Sequence, residues 1–391
     1  MNPSKSELKA RLIAFYLPQF HPIPENDKWW GNGFTEWTNV AKAKPLFKGH
    51  YQPRLPADLG FYDLRIPEVR EAQAEMARNA GIEGFCYYHY WFGGKRLLER
   101  PLNDVLASGK PELPFCLCWA NQTWTGIWHG APGRVLIEQT YPGEDDTRNH
   151  FLALRNAFLD KRYMRVNGRP IFVVFRPAEH PDIKRFIHQW QELAVQNGLP
   201  GLHFVAHLFH YEAAWDYKAH GFDACVIVSN LKSYSLSMRD LIQTHGTSDM
   251  LKVNALKEAW GHWIWRRYRA LRGQFRSVLL YRHALKFLLK GCNQQPSVYP
   301  SVIPNWDNTP RSGTRGVLLH DSTPELFRQH LAEAINLVSS HEKDQRVVFI
   351  KSWNEWAEGN YLEPDQKHGH NYLTALKEEV FVQRKDSQEK K

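Results

Sequence analysis

Eight apolar runs of strand length recur along the chain, with helical segments between many of them. They are "LIAFYL" (12–17), "GFCYYHYW" (84–91), "PFCLCWA" (114–120), "PIFVVFR" (170–176), "HFVAHLF" (203–209), "DACVIVS" (223–229), "SVYPSVIP" (297–304) and "RVVFIKSW" (346–353). Several lack polar alternation, as expected of parallel strands covered on both faces. Between them, "PEVREAQAEMARNAG" opens with Pro67 and closes at Gly81, the usual helix start and stop chemistry. "DIKRFIHQWQELAVQNG" and "TPELFRQHLAEAINLVSS" show the 3.6-residue apolar rhythm. Strands alternating with helices imply right-handed β–α–β units. Eight units in 391 residues predict an α/β chain forming a single (β/α)8 barrel domain over 1–391, with long loops after the strands. A doubly wound open sheet is the rival. Against it, Gly-x-Gly-x-x-Gly and GxxxxGK[ST] are both absent, so nothing marks a nucleotide-phosphate cradle.

The net charge of +9 is localised. From Leu231 to Cys292 twelve Lys and Arg stand against three Asp and Glu, a net of +9, which leaves the remainder balanced. Within this expected insertion (231–298), Trp260, Ile264, Tyr268, Leu271, Phe275 and Val278 fall at helical spacing, although Gly261 and Gly273 weaken the helix. One reading is an amphipathic helix packed on the barrel with a solvated basic side. The other is a peripheral contact of residues 252–290 with anionic lipid or a lipid-linked glycan. No nucleic-acid partner is expected, because the rings share the helical face rather than forming stacking platforms. The five cysteines show no pairing framework, which fits a reducing compartment. The first residues contain only about six apolar positions in a row, too few for a signal segment or a membrane span. A cytoplasmic location is expected, peripheral to the inner membrane if the basic segment binds lipid.

The stretch "KSWNEWAEGNYLEPD" (351–365) follows the last apolar run. In extended backbone Glu355 and Glu358 would point to opposite faces. If the chain turns helically there, the two become neighbours with Cβ atoms about 5–6 Å apart, and Gly359 lets the chain leave the turn. That separation suits retaining glycoside chemistry, where paired carboxyls stand about 5–5.5 Å apart. Proximity should also drive their proton affinities apart, leaving one acid and one base. Two Glu residues three apart also occur on many solvated helices, so the strand-end position carries the argument.

The motifs "FYLPQFHPIPENDKWWGNGFTEWTNV", "QPRLPADLGFYDLR", "GIEGFCYYHYWFGGKRLLERPLN", "FCLCWANQTWT", "PNWDNTPR" and "WNEWAEGNYLEPD" occur in order. Together, over about residues 12–375, they resemble the WbsX-type proteins of bacterial surface-polysaccharide gene clusters, which are often labelled glycosyltransferases. Those are similar in turn to glycoside hydrolase family 99, the endo-α-mannosidases and endo-α-mannanases. This second resemblance rests on the barrel and on "NEWAEG…EP". It implies a retaining mechanism without a protein nucleophile. One Glu takes the proton of the sugar 2-hydroxyl, which attacks the anomeric carbon to give a 1,2-anhydro sugar. A second Glu, three residues on, protonates the leaving oxygen and then activates water. Matched to Asn354-Glu355-Trp356-Ala357-Glu358, the resemblance implies Glu355 as base and Glu358 as acid/base.

The other clusters at strand ends would form the pocket. Gln19 and His21 follow the first run, then Trp29, Trp30, Glu36 and Trp37 in "WWGNGFTEW", read as a loop bracketing a glycan or as a plug over the barrel mouth. His89 and Trp91 end the second run, where the histidine is either a core hydrogen bonder or part of the site. Trp119, Asn121 and Trp124 end the third, and their types suit sugar hydroxyls and ring faces. Glu138 is a third acid or a surface residue. Trp306, Asp307 and Arg311 end the seventh run, and Asp307 with Arg311 either contacts sugar or forms a structural ion pair. Asn354 and Trp356 flank Glu355, while Glu363-Pro364-Asp365 is expected to shape the following loop. His207 with His210 is a weak pair and "HExxH" is missing, so neither a metal nor another cofactor is expected.

Three function classes follow. A glycosidase cleaving a bacterial oligosaccharide or polysaccharide, endo-acting if family 99-like, leads. A glycosyltransferase of O-antigen, lipopolysaccharide or capsule assembly is the alternative, although no Asp-x-Asp motif is present to hold a diphosphate. A non-catalytic glycan-binding scaffold is third, and it would need stacking rings more than a close acid pair.

Overall fold

The computed structural model describes residues 7–126, 131–229, 231 and 277–382. All eight expected runs form strands: β1 Arg11–Tyr16, β2 Ile82–Phe92, β3 Phe115–Trp119, β4 Arg169–Val174, β5 His203–Phe209, β6 Ala224–Val228, β7 Val298–Val302 and β8 Val347–Ile350. Each pairs in parallel with the next, and β8 returns to pair with β1. The sheet therefore closes as a (β/α)8 barrel, with no edge strand left open.

The helices begin and end where the sequence chemistry directs. Pro67–Ala80 starts on its proline and stops at Gly81, which adopts the left-handed conformation with φ of 94°. Ile183–Gln196 and Pro324–Val338 are capped by Asp182 and Thr323, whose side chains accept from the backbone N–H of Arg185 and Leu326. Their apolar faces pack on the barrel. Trp190 is fully buried against Phe151, Phe158, Phe172, Phe186 and Phe204, and its indole N–H donates to the Thr147 carbonyl at 3.0 Å.

Inside the barrel, rings stack in a layer beneath the strand ends. Phe15 of β1 stacks on Tyr88 of β2 at 5.6 Å and on Phe349 of β8 at 5.2 Å, and meets His207 of β5 edge-on. This layer floors the upper mouth. The strand starts are tied by Arg11, which donates to Glu83, to Asp344 and to the Arg165 carbonyl.

Two expectations need correction. The eighth run was expected to extend to residue 353, yet β8 stops at Ile350. The Ser352 hydroxyl accepts from the backbone N–H of Asn354 and Glu355, so those amides bond locally instead of to a neighbouring strand. The helical stripe of the insertion was expected to include Val278. Instead Ser277–Leu280 pairs in parallel with Val317–His320, which takes up its backbone bonds. The helix Tyr281–Leu288 then buries Tyr281, Ala284 and Leu288 beside Ile303, Val317 and Leu319. Most of the basic segment, 232–276, lies outside the described residues, and so does most of the expected 252–290 contact. No described helix is long and apolar enough to cross a membrane.

The Trp190 packing makes a testable demand. Trp190→Ala should lower the unfolding free energy by about 3–5 kcal/mol, read as an earlier urea midpoint with an unchanged slope.

Candidate active site

Strand β2 and the segments after β1, β3, β4, β7 and β8 line a cavity of about 390 Å3 at the C-terminal mouth of the barrel. Its chemistry starts from the turn after β8. Asn354–Glu355 pairs antiparallel with Asn360–Tyr361, and a single 3-10 turn, Trp356–Glu358, joins them. Glu355 and Glu358 thus flank one tight turn, and both line the cavity. Gly359 leaves the turn with φ of 53°, and a Cβ there would stand 2.7 Å from the Asp307 Cβ. Glycine is required twice over, by conformation and by space. The close approach also lets the Asp307 N–H donate to the Glu358 carbonyl at 2.6 Å.

Arg311, carried after β7, binds three carboxyl groups. Its Nη1 lies 2.7 Å from Glu358, while its Nη2 lies 3.0 Å from Glu36 and 3.5 Å from Glu355. Burial opposes the guanidinium charge, but Glu36, Glu358 and Glu355 outweigh it and raise the Arg311 pKa. Burial, followed by the charge of Glu358, pushes the Glu355 carboxyl up to about 8 against the pull of Arg311. At neutral pH Glu355 in the free site therefore carries a proton.

The turn is held from behind by Glu363. Its carboxylate accepts from the Trp356 indole at 2.6 Å, Gln73 at 2.6 Å, the Tyr62 hydroxyl at 2.8 Å and the Trp353 indole at 3.0 Å. Burial pushes its pKa up to about 7 although all four donors favour the carboxylate. The Asn354 amide completes the hold, accepting from Leu17 N–H at 2.8 Å and donating to Leu17 carbonyl at 3.0 Å.

Of the residues singled out from sequence, Gln19, Trp30, Glu36, Trp124, Arg311, Glu355 and Glu358 meet around the cavity. The others sit behind or beside it. Trp29 packs edge-on against Trp124. His21 faces the Pro18 carbonyl through Nδ1 at 3.0 Å. Trp37 donates to the Tyr62 carbonyl and packs on Trp356, which itself stacks on Tyr361 at 3.9 Å. His89 and Trp91 point to the outer side of β2, where His89 meets His150 ring to ring at 2.8 Å and Trp91 donates to Asp146. Burial lowers the pKa of both histidines well below the ordinary value, so the pair is neutral. Trp119 donates to the Trp91 carbonyl. Asn121 clamps the backbone of Arg176, accepting at 2.8 Å and donating at 2.9 Å. Glu138 is exposed. Asp307 is buried in a structural ion pair, with His50 at 2.8 Å, Gln52 at 2.7 Å and Arg54 at 3.8 Å. Trp306 lies under Lys351, whose ammonium is 5.1 Å from the ring centroid.

Several lining residues had not been singled out: Asn26, Tyr88, Tyr90, Gln122 and Lys351. Strand parity could have found the tyrosines, since Tyr88 and Tyr90 alternate with His89 and share the inward face. Lys351 is the first residue past β8, a position the barrel rule favours. Asn26 carries no such signal. It is fully buried on the short helix Pro24–Trp30, and neither amide atom has a hydrogen-bond partner. Among the described residues, no group of three or more His, Cys, Asp or Glu is arranged to hold a metal ion.

Comparison with known proteins adds the following. The sequence profile described as "Glycosyltransferase WbsX" matches residues 12–376. The protein WxcX of Xanthomonas campestris pv. campestris, described as uncharacterized, is 39% identical over 385 residues, covering 95% of this chain and 50% of WxcX. The chain thus spans about half the length of the curated relatives it matches. Among solved structures, one described as a glycoside hydrolase-like protein superposes with a TM-score of 0.54 at 14% identity, covering 98% of this chain and 97% of its own. The GH99 endo-alpha-mannosidase from Bacteroides thetaiotaomicron, solved with BIS-TRIS-propane, gives 0.53 at 15% identity, with 95% and 97% covered. At such identities the likeness concerns the fold.

The Arg311 cluster can be tested directly. Arg311→Met should cost about 3–5 kcal/mol of stability near pH 7, because buried carboxylates lose their counter-charge. Their proton affinities would rise in the folded variant, so the deficit should shrink as the pH falls toward 4 and they protonate. Denaturant melts across that range check both the size and the sign.

Proposed function

Because the chain belongs to the WbsX glycosyltransferase family, we propose that it makes or breaks glycosidic bonds of a bacterial polysaccharide with Glu355 and Glu358. The observation that carries this reading is the pair of carboxyl groups on one turn, facing one cavity and joined through Arg311. The roles follow from the family 99 resemblance. Glu355 takes the proton of the sugar 2-hydroxyl as O2 attacks the anomeric carbon, and the bond to the leaving oxygen breaks as Glu358 gives that oxygen a proton. Glu358 then takes a proton from the incoming hydroxyl, which opens the 1,2-anhydro ring at the anomeric carbon. The proton held by Glu355 returns to O2. A carboxyl with affinity raised to about 8 suits the first step, since a stronger base is better matched to an alcohol. The unpartnered Asn26 amide, with Gln19 and Gln122, offers bonds to sugar hydroxyls, and Trp30 and Trp124 offer ring faces.

The family description favours a second reading, transfer, in which the incoming hydroxyl belongs to a sugar instead of water. The acid pair works identically in both. Products from bacterial surface polysaccharides and α-mannans, analysed by mass spectrometry in 18O-water, separate them: labelled fragments mean hydrolysis, and unlabelled elongated chains mean transfer.

Glu355→Gln and Glu358→Gln should each reduce kcat at least a hundredfold, within the usual range for general acid–base groups, while oligosaccharide still binds. Near-native turnover by either variant would overturn the assignment. The pH profile tests the roles. As a base with a pKa of about 8, Glu355 is about one-tenth ionised at pH 7. kcat/KM should therefore climb from pH 6 toward pH 8. A profile flat below pH 8 and falling above it would make Glu355 the acid.

A further inference from the structure

Five charged side chains line the cavity: Glu36, Glu355, Glu358, Arg311 and Lys351. Four belong to the Arg311 cluster, and Lys351 does not. Its backbone is fixed by a 2.8 Å bond to the Val302 carbonyl, and its ammonium stands over the Trp306 ring. It forms no ion pair among the described residues, and no carboxylate accepts a hydrogen bond from it. Burial lowers its pKa, with Glu358 and Glu355 acting in the other direction from a distance.

A second cation acts on Lys351 from outside the cavity. Arg176 directly follows Phe175 of the cavity wall but does not itself line the cavity, and its charge repels that of Lys351. The carboxylates that Arg176 engages, Glu212 at 3.5 Å and Glu179 at 3.7 Å, are not among the cavity-lining residues. Below lies His207, buried and kept neutral by that burial and by the charge of Lys351. Among the described lining residues, Lys351 is therefore the one cation that stands outside the Arg311 cluster.

A neutral sugar has little use for this cation, because its hydroxyls find polar amides in Asn26, Gln19 and Gln122. A half-desolvated ammonium without an ion-pair partner is costly, and an anionic group of a ligand would supply the missing counter-charge. We propose that Lys351 selects a glycan bearing an anionic oxygen group, either a uronate carboxylate or a sugar phosphate, seated beside the acid pair. This deepens the reading of Glu355 and Glu358 and rests on it only in placing the glycan in this cavity.

Calorimetric binding to the full chain tests the idea, with oligogalacturonides, sugar 1-phosphates and neutral manno-oligosaccharides as probes. An acidic probe should bind about tenfold or more tightly than the neutral ones, with the advantage shrinking in salt. Lys351→Met, which keeps the stem volume, should abolish that advantage and leave neutral binding unchanged, while Lys351→Arg should restore it. An advantage confined to oligogalacturonides identifies the carboxylate, and one confined to sugar phosphates identifies the phosphate. Equal binding of acidic and neutral probes would overturn the proposal. So would an advantage that survives in Lys351→Met, or a folded Lys351→Met that loses both kinds of probe alike. Because the readout is binding, Glu358→Gln can lose turnover while the charge preference fails, which would sink this proposal and leave the catalytic one standing.

Discussion

One guanidinium allows three carboxyl groups to share a half-buried cavity. Glu36, Glu355 and Glu358 would repel each other strongly at such depth, and Arg311 answers all of them. Their meeting depends on how the barrel closes. Arg311 comes after β7, the acid pair after β8 and Glu36 after β1, and β7, β8 and β1 are neighbours only because β8 returns to β1. The parallel register between β1 and β8, Arg11 opposite Val347 through Ala14 opposite Ile350, is thus the mechanical basis of the electrostatic cluster. An open doubly wound sheet would not bring the last strand to the first.

Closure alone does not orient the acids. The turn that carries them is short, and short turns fray unless their polar groups are committed. Here nearly every one is. Ser352 takes two backbone amides, Asn354 grips both backbone atoms of Leu17, and Asp307 reaches the Glu358 carbonyl. Glu363 fixes the two indoles that precede and interrupt the acid pair, while Tyr62 bonds to Glu363 and lies 3.4 Å from the Asn354 amide. The exception is Asn360, opposite Glu355, whose buried amide has no partner among the described residues; so heavily bonded a turn otherwise restrains its side chains, as a proposed acid–base pair requires.

The sequence made the barrel legible because most strands are predominantly apolar runs and helices such as Pro67–Ala80, Ile183–Gln196 and Pro324–Val338 carry their own start residues. The acid pair was legible for a related reason: Glu355 and Glu358 follow the last run, and Gly359 marks the end of the turn. What stayed hidden was direction. His89 and Trp91 attracted notice as polar and aromatic residues at a strand end, but parity sends them outward to His150 and Asp146, and Tyr88 and Tyr90 inward. Asp307 and Arg311 looked alike in "PNWDNTPR", four residues apart. One pairs with His50 beneath the loop and the other reaches the carboxyls. Which of two neighbouring charges faces a cavity depends on long-range packing, and no local pattern encodes it. Asn26 shows the limit most sharply, since its unpartnered amide follows only from where the Pro24–Trp30 helix docks.

Under the proposed function, the same geometry would suit cleavage and transfer alike. If Glu358 takes the acceptor's proton as proposed, water and a sugar hydroxyl present it with the same O–H bond, and the acid pair would not distinguish them. Discrimination must come from the wall the acceptor crosses. On this mouth that wall is aromatic and amide-bearing, with Trp30, Trp124 and Gln122 lining the same cavity as the carboxyls. Ring faces and amides can hold a sugar in register, whereas water gains nothing from a ring face. An acceptor sugar stacked there would also displace water from the carboxyls and strengthen every charge interaction among Arg311, Glu355 and Glu358. On the proposed function, acceptor choice would therefore be set by the aromatic rim, with the proton chemistry beneath it unchanged.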